Sequence, residues 1–83
     1  MKYSKGISIL YIYNRLKSEY SLSRTELSEQ LEVDLKTITR YINEINLYCA
    51  EMSLNEIVVH SPRFEGYKLL PINEIKIKRG KDD

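Results

Sequence analysis

Tryptophan is absent from these 83 residues, cysteine, histidine and phenylalanine each occur once, and there are three glycines and two prolines. One cysteine excludes an internal disulfide. With no charged-then-apolar leader and no apolar run long enough to span a bilayer, the expectation is a chain that works in a reducing cytoplasm and not in a membrane. His60 and Cys49 have structural readings, as a strand position and a core position, and no cluster of ligand-type residues has metal-binding spacing. Scattered glycines build no phosphate-cradling loop and no carboxylate pair stands out, so neither an enzyme nor a cofactor is expected. Charge of one sign is missing as well: 13 Lys and Arg stand against 12 Asp and Glu, a net of +1. That excludes a globally basic surface, although nucleic-acid binding needs only a local patch. The charge is uneven, with +3 over residues 1–22, −4 over 23–66 and +2 over 67–83. The length suits one small domain with a modest core and is too short for a separate catalytic cleft.

What the chain does contain is two amphipathic helical patterns a few residues apart, each with a start signal. Ser23-Arg24-Thr25-Glu26 has the S-x-x-E form, in which the serine accepts from the N–H three residues on and the glutamate reaches back, so a helix is predicted from Arg24. Leu27 and Leu31 share its inner face, Ser28 between them lets another helix approach, and Val33 plugs the turn that follows. Asp34 caps a second helix by accepting from the N–H of Lys36 or Thr37, and its charge suits the positive end of the helix dipole. Ile38, Ile42, Ile45 and Cys49 then recur as a buried stripe flanked by Tyr41 and Tyr48, with Lys36, Thr39, Arg40, Asn43, Asn46 and Leu47 opposite. A polar face on one helix is ordinarily just solvated. Two capped helices across a three-residue turn, however, form a helix-turn-helix, whose second helix presents such a face to the DNA major groove. Lys36, Thr39, Arg40 and Asn43 carry the groups that read base edges or hold phosphates.

Upstream, residues 5–17 are predicted as a helix with Ile9, Ile12, Tyr13 and Leu16 inward. Tyr3, Ile7, Leu10 and Tyr11 form a second apolar set on its far side, to be covered either by the chain's own C-terminal segment or by another copy. Leu22 points inward from a short link. Beyond the second capped helix, residues 51–55 read as a polar bend with Met52 and Leu54 as inward anchors. Ile57-Val58-Val59-His60 and Tyr67-Lys68-Leu69-Leu70 read as the strands of a hairpin. Pro62 and Gly66 punctuate its loop, Gly66 being free to take the positive φ of a loop-to-strand corner, and Arg63 near the tip is placed to hold a phosphate or enter a minor groove. After Pro71, Ile75 and Ile77 alternate as in a strand before a charged tail whose end is expected to be disordered.

Three helices followed by a hairpin is the order of a winged helix, within a mainly α, α+β class. LSEQLEVDLKTITRYINEIN resembles the helix-turn-helix of the Mga-like and DeoR-like bacterial regulators, and FEGYKLL resembles the Gly-Tyr-x-Leu strand that closes their wing. The resemblance spans roughly residues 7–70, within a domain drawn over 1–70 with 71–83 as a strand or tail. It implies a bacterial or phage transcription regulator that binds double-stranded DNA. By position it places Leu27, Leu31, Val33, Ile38 and Ile42 in the core, and Lys36, Thr37, Thr39, Arg40 and Asn43 toward DNA or its backbone. Glu32 departs from the glycine common in that turn and is expected either to adopt a left-handed conformation at some cost or to be accommodated by a slightly different turn. Such regulators usually carry further domains, and only thirteen residues follow Leu70 here. Arg24, Lys36, Arg40 and Arg63 are the main cations for phosphate, few enough that a homodimer is expected, through Tyr3, Ile7, Leu10, Tyr11, Ile75 and Ile77. The competing reading is a protein-interaction adaptor that docks a regulator or polymerase through the first helix and the tail.

Overall fold

A computed structural model of the chain describes residues 2–18, 21–61 and 66–72. The elements run α1 (Lys5–Ser18), β1 (Leu22–Ser23), α2 (Arg24–Leu31), α3 (Leu35–Glu51), β2 (Glu56–Ser61) and β3 (Gly66–Pro71), a mainly helical α+β arrangement. The strands form an antiparallel sheet of order β1-β3-β2, with Leu22 opposite Tyr67 on one side and His60 opposite Tyr67 on the other. Arg63, Ile75, Ile77 and the tail lie outside the described residues.

Both expected caps are present. Ser23 Oγ accepts from Glu26 N–H at 3.2 Å, and Asp34 Oδ1 accepts from Thr37 N–H at 2.8 Å. The Thr37 hydroxyl and then its N–H hold the Asp34 carboxyl below the usual carboxylate range, with Arg40 and Lys36 adding to the effect. The ends of α2 and α3 share one device. Val33 N–H returns to Ser28 O at 3.1 Å and Leu54 N–H to Cys49 O at 2.9 Å, the six-to-one bond of a Schellman turn. Such a turn needs a left-handed residue, and Glu32 (φ 57°) and Ser53 (φ 54°) fill that place. The Ser28 hydroxyl also donates to Val33 O at 2.6 Å, so this serine fastens the turn in addition to being small.

A side chain other than glycine in that conformation costs about 1–2 kcal/mol. Glycine's extra freedom in the unfolded chain returns part of that. Glu32→Gly should therefore stabilise the fold by roughly 0.5–1 kcal/mol, whereas Glu32→Ala should bring no such gain. Urea unfolding of both variants checks this, and equal midpoints would remove the strain from the account.

The core joins Ile12 and Leu16 of α1, Leu27 and Leu31 of α2, Ile38, Tyr41, Ile42, Ile45 and Cys49 of α3, and Leu22, Val58 and Tyr67 of the sheet. Fully burying one such aliphatic side chain contributes about 1.5–3 kcal/mol. Ile9 and Tyr13 are only partly buried, and Ser8 is the third wholly buried position of α1. Burial, with the neighbouring Glu56 carboxylate, pushes the Cys49 thiol up, which favours its protonated form in the core.

Polar side chains then fix how α1 lies. Tyr11 Oη donates to Gln30 Oε1 at 2.7 Å while Arg15 Nη1 donates to both, which fastens α1 to α2. Tyr11 is therefore half-buried in a latch, unlike Tyr3, Ile7 and Leu10, which are exposed. On the other flank Tyr13 Oη donates to Glu56 Oε1 at 2.9 Å and Lys17 Nζ lies 3.3 Å from Glu56 Oε2, which fastens α1 to β2.

Two expectations fail. Met52 and Leu54 do not anchor the bend inward: they are exposed, because the Schellman turn at Ser53 swings the chain outward before Asn55, itself left-handed at φ 59°, redirects it into β2. Nor does Gly66 serve as a positive-φ corner, since no described glycine has positive φ. Its need is space. A Cβ there would stand 2.3 Å from Leu22 O, where β1 crosses close to β3.

Candidate nucleic-acid interface

The caps and the turn hold α3 with one stripe outward. Lys36, Thr39, Arg40 and Asn43 are exposed along it, and Leu47 continues it as an exposed apolar residue. Thr39 Oγ1 donates to Leu35 O at 3.3 Å, which leaves its lone pairs and methyl group for a partner. Thr37 stands apart: it is half-buried and engaged with Asp34, so it supports the cap more than the outward stripe.

Asn46, read as part of the same polar face, belongs to the sheet. Its Oδ1 accepts from Val58 N–H at 2.7 Å and its Nδ2 donates to Val58 O at 3.2 Å. One amide thus occupies both main-chain groups on the outer edge of β2, the way another strand would. This ties the hairpin to α3 and sets the height of the hairpin beside the outward stripe.

Two hollows flank that stripe, and Asn43 borders both. One is lined by Lys5, Thr37, Arg40, Tyr41 and Glu44, with Lys5 Nζ 3.8 Å from Glu44 Oε2 in a largely exposed pair of small energetic weight. The other is a groove between α3 and the hairpin, where Arg24, Thr39, Asn43 and His60 surround Val58 and Tyr67. Of the expected contact residues, the structure therefore brings Arg24, Lys36, Thr39, Arg40 and Asn43 onto one side of the molecule. Lys5, not singled out from the sequence, and His60, expected only as a strand position, join them. A signal for His60 existed in the alternation of β2, which puts it on the inward face of Val58, toward α3.

The cations of this side are not massed. Arg40 and Lys36 act on the Asp34 carboxylate, and Glu44 sits on the flank of α3, so the local field is mixed. No group of three metal-ligating side chains occurs among the described residues, and no described helix is long and apolar enough to cross a membrane. Compared with known proteins, the chain matches no family model, and no significant match is found to a curated protein or to a solved structure.

Proposed function

We propose that this chain is a small winged helix-turn-helix regulator of transcription that binds double-stranded DNA in a sequence-specific way. In this reading α3 enters the major groove and the β2–β3 hairpin lies on the backbone or in the minor groove. The observation that carries it is the exposed stripe of Lys36, Thr39, Arg40 and Asn43 on the second of two capped helices joined by a fastened three-residue turn. Two capped helices across so short a turn have the geometry in which a helix-turn-helix presents its second helix to the major groove.

If Arg40 is bidentate to a guanine, Arg40→Ala should cost about 1–3 kcal/mol at that base position and relax preference there. Lys36→Ala, losing a phosphate contact, should weaken all sequences alike and lower the salt slope by about 1. Titrations of both variants against a preferred duplex and its single-base changes check this. An Arg40→Ala protein with wild-type affinity for the preferred site would take that residue out of the reading.

The exposed side of α1 supports the reading that the chain pairs as a homodimer. Tyr3, Ile7 and Leu10 are 41%, 55% and 67% exposed, an apolar strip that a second copy would bury. A monomer neutralising about four phosphates gives a log–log salt slope near −3.6, and a dimer about twice that. Sedimentation with and without a duplex decides it: a single copy in both conditions with the shallow slope sinks the dimer. The same strip favours a second reading, an adaptor whose α1 docks another protein. An adaptor should pass through heparin at low salt, where a DNA binder is retained.

A further inference from the structure

The groove between α3 and the hairpin has the chemistry of a seat for one sugar-phosphate unit. Resting on the DNA-binding reading, we propose that His60 and Arg24 together hold a single backbone phosphate there, with its deoxyribose against Val58 and Tyr67 and the rest of the strand running along α3. Leu22, Tyr67 and His60 stand in one row across β1, β3 and β2. Leu22 and Tyr67 are buried and His60, at the β2 end of the row, is exposed. Its ring meets Tyr67 edge-on at 5.5 Å, which orients the imidazole at the mouth of the groove. Arg24 follows β1 directly as the first residue of α2 and lines the same groove.

The donors and acceptors select the occupant. Among the described residues no carboxylate lines this groove, whereas Glu44 lines the hollow on the other flank of α3. The Asn46 amide is anchored on Val58 and the Thr39 hydroxyl donates to Leu35 O, so both side chains already carry structural bonds. Arg24, an imidazole N–H and the Asn43 amide are the further donors along this groove, and of these the guanidinium and the ring donor suit phosphate oxygens. The apolar floor suits a sugar face. Thr39 and Asn43 belong both to the groove and to the outward stripe, so a strand held here continues past the groups proposed to meet bases. His60 is thus a positioning residue for the backbone and reads no sequence.

The test uses the full chain, a duplex that it binds, and a series of that duplex with one phosphate at a time replaced by an uncharged methylphosphonate. His60→Ala and Arg24→Ala should each lower affinity about tenfold, equally for all sequences. His60→Gln, which keeps a donor, should recover most of the loss. At one phosphate position, neutralisation should abolish the effect of both variants while leaving that of Arg40→Ala intact. Losses mapping to two different phosphates, losses persisting on every substituted duplex, or a His60→Ala protein with wild-type affinity would each overturn the seat. A wild-type chain that binds no duplex overturns the functional reading, and the seat with it. If the wild type binds and Arg40→Ala is impaired, a silent His60 sinks the seat alone.

Discussion

Gly66→Ala should lose about 3 kcal/mol of stability, at the upper end of what overpacking usually costs, and drop the melting temperature by roughly 15 °C for a domain of this size. The new methyl group would stand 2.3 Å from Leu22 O and 2.9 Å from Leu22 C. Both are backbone atoms, so no side chain can rotate aside. Relief requires β1 to move off β3, and β1 is two residues long, paired only through Leu22 with Tyr67 and Ser23 with Gly66. Leu22 would then leave the core, and Ser23 would lose the position from which it caps α2. Gly6→Ala is the matched control. Nothing lies within 4 Å of a Cβ at Gly6, in the first turns of α1, so that variant should gain up to about 1 kcal/mol from helix propensity. Thermal unfolding of the pair reads both signs, and a Gly66→Ala protein as stable as wild type would mean that β1 does not approach β3 this closely.

Asn46→Ala should cost about 2–3 kcal/mol, since a buried donor and a buried acceptor each lose a partner at about 1–3 kcal/mol per group left unsatisfied. Val58 is 5% exposed, so water does not readily replace the amide. The Asn46 bonds, 2.7 Å from Val58 N–H and 3.2 Å to Val58 O, are made by one rigid group. Asn46→Asp keeps the acceptor for the N–H but brings a second acceptor against the carbonyl, so it should be destabilised as well. The specific readout is amide exchange: the Val58 N–H should exchange much faster in Asn46→Ala, while amides in the middle of α1 follow only the global loss. Unchanged protection at Val58 would show that the clamp does not hold the edge of β2.

Local rules carried far in this chain. The serine cap at Ser23, the Asp34 cap, the left-handed Glu32 and the two strands of the hairpin are all consequences of a few neighbouring residues, and all stand in the structure, while the Glu26 carboxylate accepts from Gln30 Nε2 at 3.4 Å. The core stripe of α3 follows from a period of 3.6, and Ile38, Ile42, Ile45 and Cys49 are buried as expected. What escaped depends on residues distant in sequence. Periodicity placed Asn46 outward beside Asn43, and nothing local tells which of two asparagines meets the open edge of a strand twelve residues away. Gly66 looked like a corner because glycine usually is one, while its actual neighbour is Leu22, forty-four residues earlier. Tyr11 was grouped with Ile7 and Leu10 by its ring, but its hydroxyl found Gln30 across the helix pair. Met52 and Leu54 were assigned inward on apolarity, and the geometry of a turn without glycine sent them outward.

The most direct measurement of the central claim is selection of the full chain on a random duplex library at low salt, followed by titration of the recovered sequences. The expected result is an enriched motif, bound in preference to random duplex, whose recognition changes at one position in Arg40→Ala and falls uniformly in Lys36→Ala. No enrichment over successive rounds, together with passage of the folded wild-type chain through a duplex column at low salt, would contradict DNA binding and leave α1 with Tyr3, Ile7 and Leu10 as the surface that matters.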